Sequence, residues 1–322
     1  MGFIEDGCDK NDYISNVHGA FYWIANLGNL PWKSCWMANT TAITRPLGLQ
    51  IAKEAAAFSR LATEKVIPRI QQARSNRGKV SNGNRDMLDH FIDMRGPSGE
   101  PATVTEIIAE VGNLLAAGAD TTSVAVKAVL APILKHPARY HRLQNEIDCA
   151  RATAASEKGE NHVLTFNDIK DLAFLGACIK EGTRLHPSLV YQLPRKAPAE
   201  GFDIDGYFID STATVGTSAV AYNRCQAIFG EDADKWRPER WIEGEGNTID
   251  RIKEMDKNLA TFGFASRTCI GRNLATLELF KFIAQLLIRY DVELVDPDKA
   301  LDVRSLWFAE IYNMQIKLKL RS

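Results

Sequence analysis

The 322-residue sequence has no two cysteines at the C-x-x-C distance: Cys8, Cys35, Cys149, Cys178, Cys225 and Cys269 stand well apart. A zinc ribbon and a thioredoxin-type dithiol are thereby excluded. An excess of charge is lacking as well. Basic and acidic side chains number 39 and 40, the formal net charge is −1, and no long Lys/Arg cluster offers the electrostatic footprint that nucleic acid requires. No basic stretch leads into an apolar run near residue 1, so no signal peptide is expected, and the cysteines are expected to be reduced and mostly buried. The apolar stretch 20–32 is broken by Asn26, Gly28, Asn29 and Pro31 and falls short of the ~20 residues that a membrane span requires. Neither a P-loop nor a G-x-G-x-x-G following a strand occurs, so the chain is not expected to bind NADPH or flavin itself. What is there, 45% hydrophobic and 25% charged residues, suits a globular chain with a large core, and length alone suggests about two domains.

The apolar pattern is helical with one island of strands. Ile51, Ala55, Phe58, Leu61, Ala62, Val66 and Ile70 recur at three and four, which predicts a helix over 47–74 interrupted late by Pro68. A polar loop (75–85) and a short helix (86–94) follow. Thr103 and Glu106 have capping-box spacing for a long helix over 103–134. That helix is apolar all round from 107 to 133, so it is expected to cross the middle of the core. Pro137 fits the first position of the next helix, and 172–186 predicts another, closed by Pro187. Alternation over 202–209 around Asp205-Gly206 predicts a hairpin. The charged, tryptophan-bearing stretch 230–258 reads as loop, 273–289 as a last strong helix, and 307–320 as a closing strand pair.

Chemistry concentrates in Phe262-Gly263-Phe264-Ala265-Ser266-Arg267-Thr268-Cys269-Ile270-Gly271. A cysteine in a turn that opens onto a helix has its thiolate favoured by the helix's unpaired amides. A lone thiolate with no second Cys or His beside it suits an axial ligand of haem iron. An inert cysteine in a helix-start turn is the commoner case, so the neighbours must decide. Glu181-Gly182-Thr183-Arg184 sets an acid and a base at i and i+3 on one helix face. Pro238-Glu239-Arg240-Trp241 stands downstream, and Ala117-Gly118-Ala119-Asp120-Thr121-Thr122 falls in the centre of the long helix, where glycine and threonine weaken it locally.

These four motifs, in this order, resemble those of the cytochrome P450 family. Phe262, Arg267, Cys269 and Gly271 match its cysteine-ligand loop, and Ala265 stands where the family usually has glycine. The resemblance implies a mainly α fold with a small β region, the C-terminal part of the family's fold. It implies one incomplete domain over 1–322 whose anchor, early helices and first sheet strands are absent. The ligand loop would be 262–271, and the central oxygen-activating helix 103–134. Cys269 would be the axial ligand of haem b. Arg267 and Arg195 would pair with propionates, Phe262 would cover the sulfur, and Asp120 and Thr121 would relay protons to dioxygen. Glu181, Arg184 and Arg240 would be a structural triad. Ala117, Leu189, Val190 and residues 306–311 fall where the family contacts substrate.

The implied activity is a haem-thiolate monooxygenase that inserts one atom of dioxygen into a small apolar molecule. NADPH would act only indirectly, through a separate cytochrome P450 reductase. The opening residues resemble fungal members near pisatin demethylase, many of them in secondary metabolism. Relatives of full length imply an endoplasmic reticulum membrane, reached here only if an N-terminal anchor is missing from the sequence. Two alternatives are a non-catalytic truncated remnant unable to hold haem and a haem-thiolate isomerase or dehydratase.

Overall fold

Thr103 caps the longest helix as its spacing predicts: Glu106 N–H donates to Thr103 Oγ1 (3.2 Å) and Thr103 N–H donates back to Glu106 Oε2 (2.7 Å). In the computed structural model, residues 7, 14–15, 18–19, 62–75, 85–305 and 307–321 are described. The chain divides into two units, Met1–Ala119 and Asp120–Ser322, and the boundary falls inside that one helix.

In the first unit a π-helical turn, Ala62–Val66, runs into α1 (Ile67–Ser75). Pro68 follows closely on the π-helical turn, so the late interruption expected there is a change of winding from π to α, and the part before residue 62 of the helix expected over 47–74 lies outside the described residues. After α2 (Met87–Ile92), capped by Asp86, comes α3 (Val104–Leu134). Val66, Ile70, Ala102 and Ile107 form this unit's buried core. Arg74 donates to Ala102 O at 2.6 Å and ties α1 to the approach of α3.

In the second unit Pro137 opens α4 (Pro137–Lys158), as predicted, and α5 (Phe166–Ile169) leads to α6 (Ala173–Leu185). Short strands β1 (Arg195–Lys196), β2 (Phe202–Ile204), β3 (Tyr207–Ile209) and β4 (Thr214–Val215) follow. β2 and β3 form the predicted hairpin around Asp205-Gly206. Beyond α7 (Ala219–Tyr222) and α8 (Gln226–Phe229), the stretch expected to be loop contains a 3-10 turn, Pro238–Trp241, and α9 (Ile249–Lys257). α9 was hidden because only Ile252 and Met255 of its apolar residues are buried, too few for a visible stripe. The 3-10 turns Ala260–Phe262 and Ala265–Arg267 precede α10 (Arg272–Arg289).

The chain closes with β5 (Tyr290–Leu294), β6 (Asp302–Ser305), β7 (Ala309–Tyr312) and β8 (Ile316–Leu320). The two final strands were expected to pair with each other; instead β7 pairs with β6 and β8 with β5, both antiparallel. Alternation shows that a segment is extended but carries no information on its partner. Val129, Ile133, Leu143, Ile147, Leu175, Ile283 and Leu287, from α3, α4, α6 and α10, are wholly buried in one core cluster.

Two further expectations are corrected. α3 is buried at Ile107, at Asp120 and repeatedly only in its later part, from Val124 on, whereas Ala117, Gly118 and Ala119 are exposed, so its apolar composition does not mean burial on all sides. The described cysteines are free, yet of Cys149, Cys178, Cys225 and Cys269 only Cys178 is buried.

Candidate haem-thiolate site

Cys269 lies in the turn between the Ala265–Arg267 segment and α10, whose N-cap is Gly271. Its N–H donates to Phe262 O at 2.8 Å, closing a loop that turns the side chain outward. Two left-handed residues make the turn: Gly263 at φ +71° and Ala265 at φ +51°. Alanine therefore occupies the conformation that glycine takes freely, at a cost on the order of 1 kcal/mol or slightly more. A Cβ added at Gly271 would meet nothing nearer than Cys269 Sγ at 3.8 Å, so the glycine leaves the sulfur uncovered.

The thiol is exposed, as are Phe264, Leu274 and Leu277, and Ile270 is 104% exposed. Cys269 belongs to no cluster of three His, Cys, Asp or Glu ligands among the described residues. A single exposed soft donor with no second ligand beside it fits haem iron and does not fit a zinc site. Arg267 is exposed with no ion pair among the described residues, as a propionate partner requires. Arg195 is exposed on β1, and its Nη1 donates to Leu193 O (2.9 Å) and Pro194 O (3.0 Å). Phe262 is half-buried, joined to Cys269 through its backbone carbonyl.

Glu181, Arg184 and Arg240, three charged side chains with no exposure at all, meet as the motifs imply. Glu181 Oε2 accepts from Arg184 Nε (2.8 Å) and Trp241 Nε1 (2.9 Å); Oε1 accepts from Arg184 Nη2, Arg240 Nε and Arg237 N–H, each at 2.9 Å. Burial pushes the Glu181 carboxyl up, but the hydrogen bonds from Arg184 and the charges of Arg184 and Arg240 outweigh it and hold it below the ordinary carboxylate value. Arg240 also reaches Phe229 O (2.6 Å) and Asp232 Oδ1 (3.0 Å), so the network joins α6 to the segment leading toward the cysteine.

Sequence reasoning missed Asn223, Asp232 and Gly182. Asn223, wholly buried, accepts at Oδ1 from Ala260 N–H (2.9 Å) and donates from Nδ2 to Arg184 O (3.1 Å), coupling the network to the turn before the ligand loop. Nothing marks one asparagine in a loop as such a bridge. Thr261 Oγ1 adds a bond to Thr183 O at 3.2 Å. A Cβ at Gly182 would come within 2.8 Å of Ala128 O and 2.9 Å of Val129 Cα, so this glycine sets how closely α6 approaches α3.

Asp120 is buried on α3 and Thr121 half-buried beside it; Ser188 Oγ donates to Thr121 O at 2.7 Å. Leu189 and Phe308 form an antiparallel bridge, and Val190 N–H donates to Trp307 O at 3.2 Å. Two of the expected substrate-contact segments thus lie side by side and next to the acid-bearing turn of α3. Ala117 lies in the first unit, exposed, and residue 306 is outside the described residues.

A family model for cytochrome P450 matches residues 24–319. The chain is 31% identical over its full length to the cytochrome P450 monooxygenase cicH of Emericella nidulans and to the cytochrome P450 monooxygenase asR2 of Sarocladium schorii, spanning 61% of each. It is 30% identical, again over its full length, to the cytochrome P450 monooxygenase ACRTS1 of Alternaria alternata, of which it spans 82%. A crystal structure of a cytochrome P450 superposes with a TM-score of 0.68 at 23% identity, covering 97% of this chain and 62% of that one.

Proposed function

The chain belongs to the cytochrome P450 family, and from that premise we propose that it is the haem-binding part of a fungal haem-thiolate monooxygenase acting on a small apolar molecule in secondary metabolism. The observation that carries this reading is the exposed Cys269 thiol, presented by a turn whose backbone is fixed by the Phe262 bond and the left-handed Gly263 and Ala265. Haem, when bound, would supply the redox-active iron that monooxygenase chemistry requires.

The chain's own residues supply the rest. Cys269 Sγ holds the iron as a thiolate, while Arg267 and Arg195 neutralise the propionates and orient the ring. Phe262 lies against the ligand turn and limits water there. Asp120 and Thr121, neighbours on one turn of α3, relay protons toward the oxygen side. Leu189, Val190 and Phe308 shape an apolar wall for substrate. Glu181, Arg184, Arg240 and Asn223 touch no reactant; they hold the ligand turn where the chemistry needs it. Electrons come from a separate reductase, at the endoplasmic reticulum membrane in the whole protein. The buried acid beside Thr121 on α3 favours oxygen activation over an isomerase or dehydratase, and the fully bonded Glu181 network favours a haem-competent core over a remnant.

The test is spectroscopic. Purified protein reconstituted with haem, reduced and exposed to carbon monoxide is expected to show the red-shifted Soret band of thiolate ligation, and Cys269→Ser to lose it. Absence of that band in the unsubstituted protein overturns the proposal.

A further inference from the structure

Glu310 stands on β7 with two unequal oxygens. Oε2 lies 3.3 Å from Lys127 Nζ, whereas Oε1 is buried and has no hydrogen-bond partner among the described residues. A buried carboxylate oxygen without a donor is expensive, and an ion pair with Lys127 needs only one of the two. A carboxylate oxygen of Glu310 also lies within 4.8 Å of one from Asp120. That separation is within reach of a single bridging water.

The juxtaposition is held from several sides. Lys127 follows Asp120 by about two turns of α3, so both project from one face. Ala309, next to Glu310, donates its N–H to Ser188 O at 2.9 Å, and Ser188 Oγ in turn holds Thr121 O at 2.7 Å. The His186 ring bonds Ala309 O through Nε2 at 2.7 Å. Lys127 and Asp120 on α3 and His186 in the segment after α6 are among the titratable groups that face Glu310. Burial lowers His186 below the ordinary histidine value and keeps the ring neutral near pH 7, so it is not the proton source. Exposure rises outward along the same line, from Asp120 (8%) to the side chains of Glu310 (14%) and Lys127 (35%).

We propose that Glu310 is the second carboxylate of the proton path ending at Asp120, receiving a proton from solvent beside Lys127 and passing one through a bridging water to Asp120. Each transfer breaks one O–H bond and forms another, and Glu310 ends as it began, with no oxidant or reductant required. The inference rests on the reading of Asp120 as proton donor in the proposed monooxygenase.

Two measurements test it. The first needs no haem: infrared difference spectra against pH, with the Asp120 carboxyl band identified by its loss in Asp120→Asn. Glu310→Gln is expected to move the frequency of that band, as loss of a partner reached through a bridging water requires. The second uses haem-loaded protein with a fungal NADPH–cytochrome P450 reductase and no added substrate, following oxygen uptake in H2O and D2O. Glu310→Gln is expected to slow uptake to about a tenth and at least double the solvent isotope effect, in the range general acid–base relays contribute. A merely structural Glu310 leaves the isotope effect unmoved. If Glu310→Gln does not fold, Glu310→Ala, which also removes the carboxyl, carries the same readouts. An unmoved Asp120 band, or an unchanged isotope effect in haem-loaded protein, overturns the proposal. Failure of the monooxygenase reading appears separately, as a missing thiolate Soret band in the unsubstituted protein.

Discussion

Arg184 and Asn223 hold each other by reciprocal bonds: Arg184 Nη1 donates to Asn223 O at 2.7 Å, and Asn223 Nδ2 donates to Arg184 O at 3.1 Å. Both side chains are wholly buried, so neither bond has water as a substitute. Asn223 Oδ1 also takes the Ala260 N–H.

Asn223→Ala is therefore expected to leave two buried backbone groups unbonded, at about 1–3 kcal/mol each. The loss falls at the entrance to the ligand turn. Hydrogen exchange over 259–268 is expected to quicken more than exchange in α4, and haem is expected to dissociate faster. Asn223→Asp can still accept from Ala260 but cannot donate to Arg184 O, so it is expected to fall between the two. Equal protection across both segments would show that Asn223 acts only on global stability.

Gly182→Ala forces a methyl to within 2.8 Å of Ala128 O, a backbone atom that cannot swing aside. α6 and α3 must move apart, which overpacking data place at roughly 1–3 kcal/mol. Urea unfolding is expected to show that loss. A variant as stable as the original protein would mean that the two helices slide without cost.

These two positions also show what the sequence makes legible. Cys269, Glu181, Arg184 and Arg240 were readable because each belongs to a local motif with fixed spacing, and the capping box at Thr103 and the hairpin at Asp205-Gly206 are local in the same sense. Asn223, Gly182 and Glu310 act across 37, 53 and 190 residues of chain, on Ala260, Val129 and Asp120, and no local pattern encodes such contacts. The pairing of β7 with β6 escaped for the same reason. The burial of α3 was overestimated because alanine and glycine count as apolar in a periodicity yet sit comfortably in water, as Ala117 and Gly118 do.

The described cysteines differ in access. Cys269 and Cys149 are exposed, while burial pushes the Cys178 thiol far up and keeps it protonated. A water-soluble aromatic disulfide is expected to modify Cys269 and Cys149 quickly in haem-free protein and to spare Cys178 until unfolding. Added haem is expected to protect Cys269 alone. Protection of Cys149 instead would remove the assignment of Cys269 as ligand.

His186 links stability to pH. Burial lowers its folded-state value below the ordinary ~6.5, despite its bond to Ala309 O. Above ~6.5 the ring is neutral in both states and the full stability is present. As pH falls from there the unfolded chain binds the proton first, so stability declines until pH passes the folded-state value and then levels off. The urea midpoint is expected to drop between pH 7 and the folded value, and His186→Gln to flatten that drop. An identical slope in the variant would place the titrating group elsewhere.

Ala265 at φ +51° is the one place where the ligand turn departs from the family's glycine. A left-handed L-residue costs roughly 1–2 kcal/mol, and glycine removes that cost but adds ~0.5–1 kcal/mol of unfolded-state freedom. Ala265→Gly is accordingly expected to stabilise the protein by no more than about 1 kcal/mol. Haem retention is expected to change less than severalfold, because the Phe262–Cys269 bond and Gly263 already fix the turn. A many-fold gain in retention would show that alanine strains the thiolate away from its working position, and that the turn seen here is not the one that binds iron.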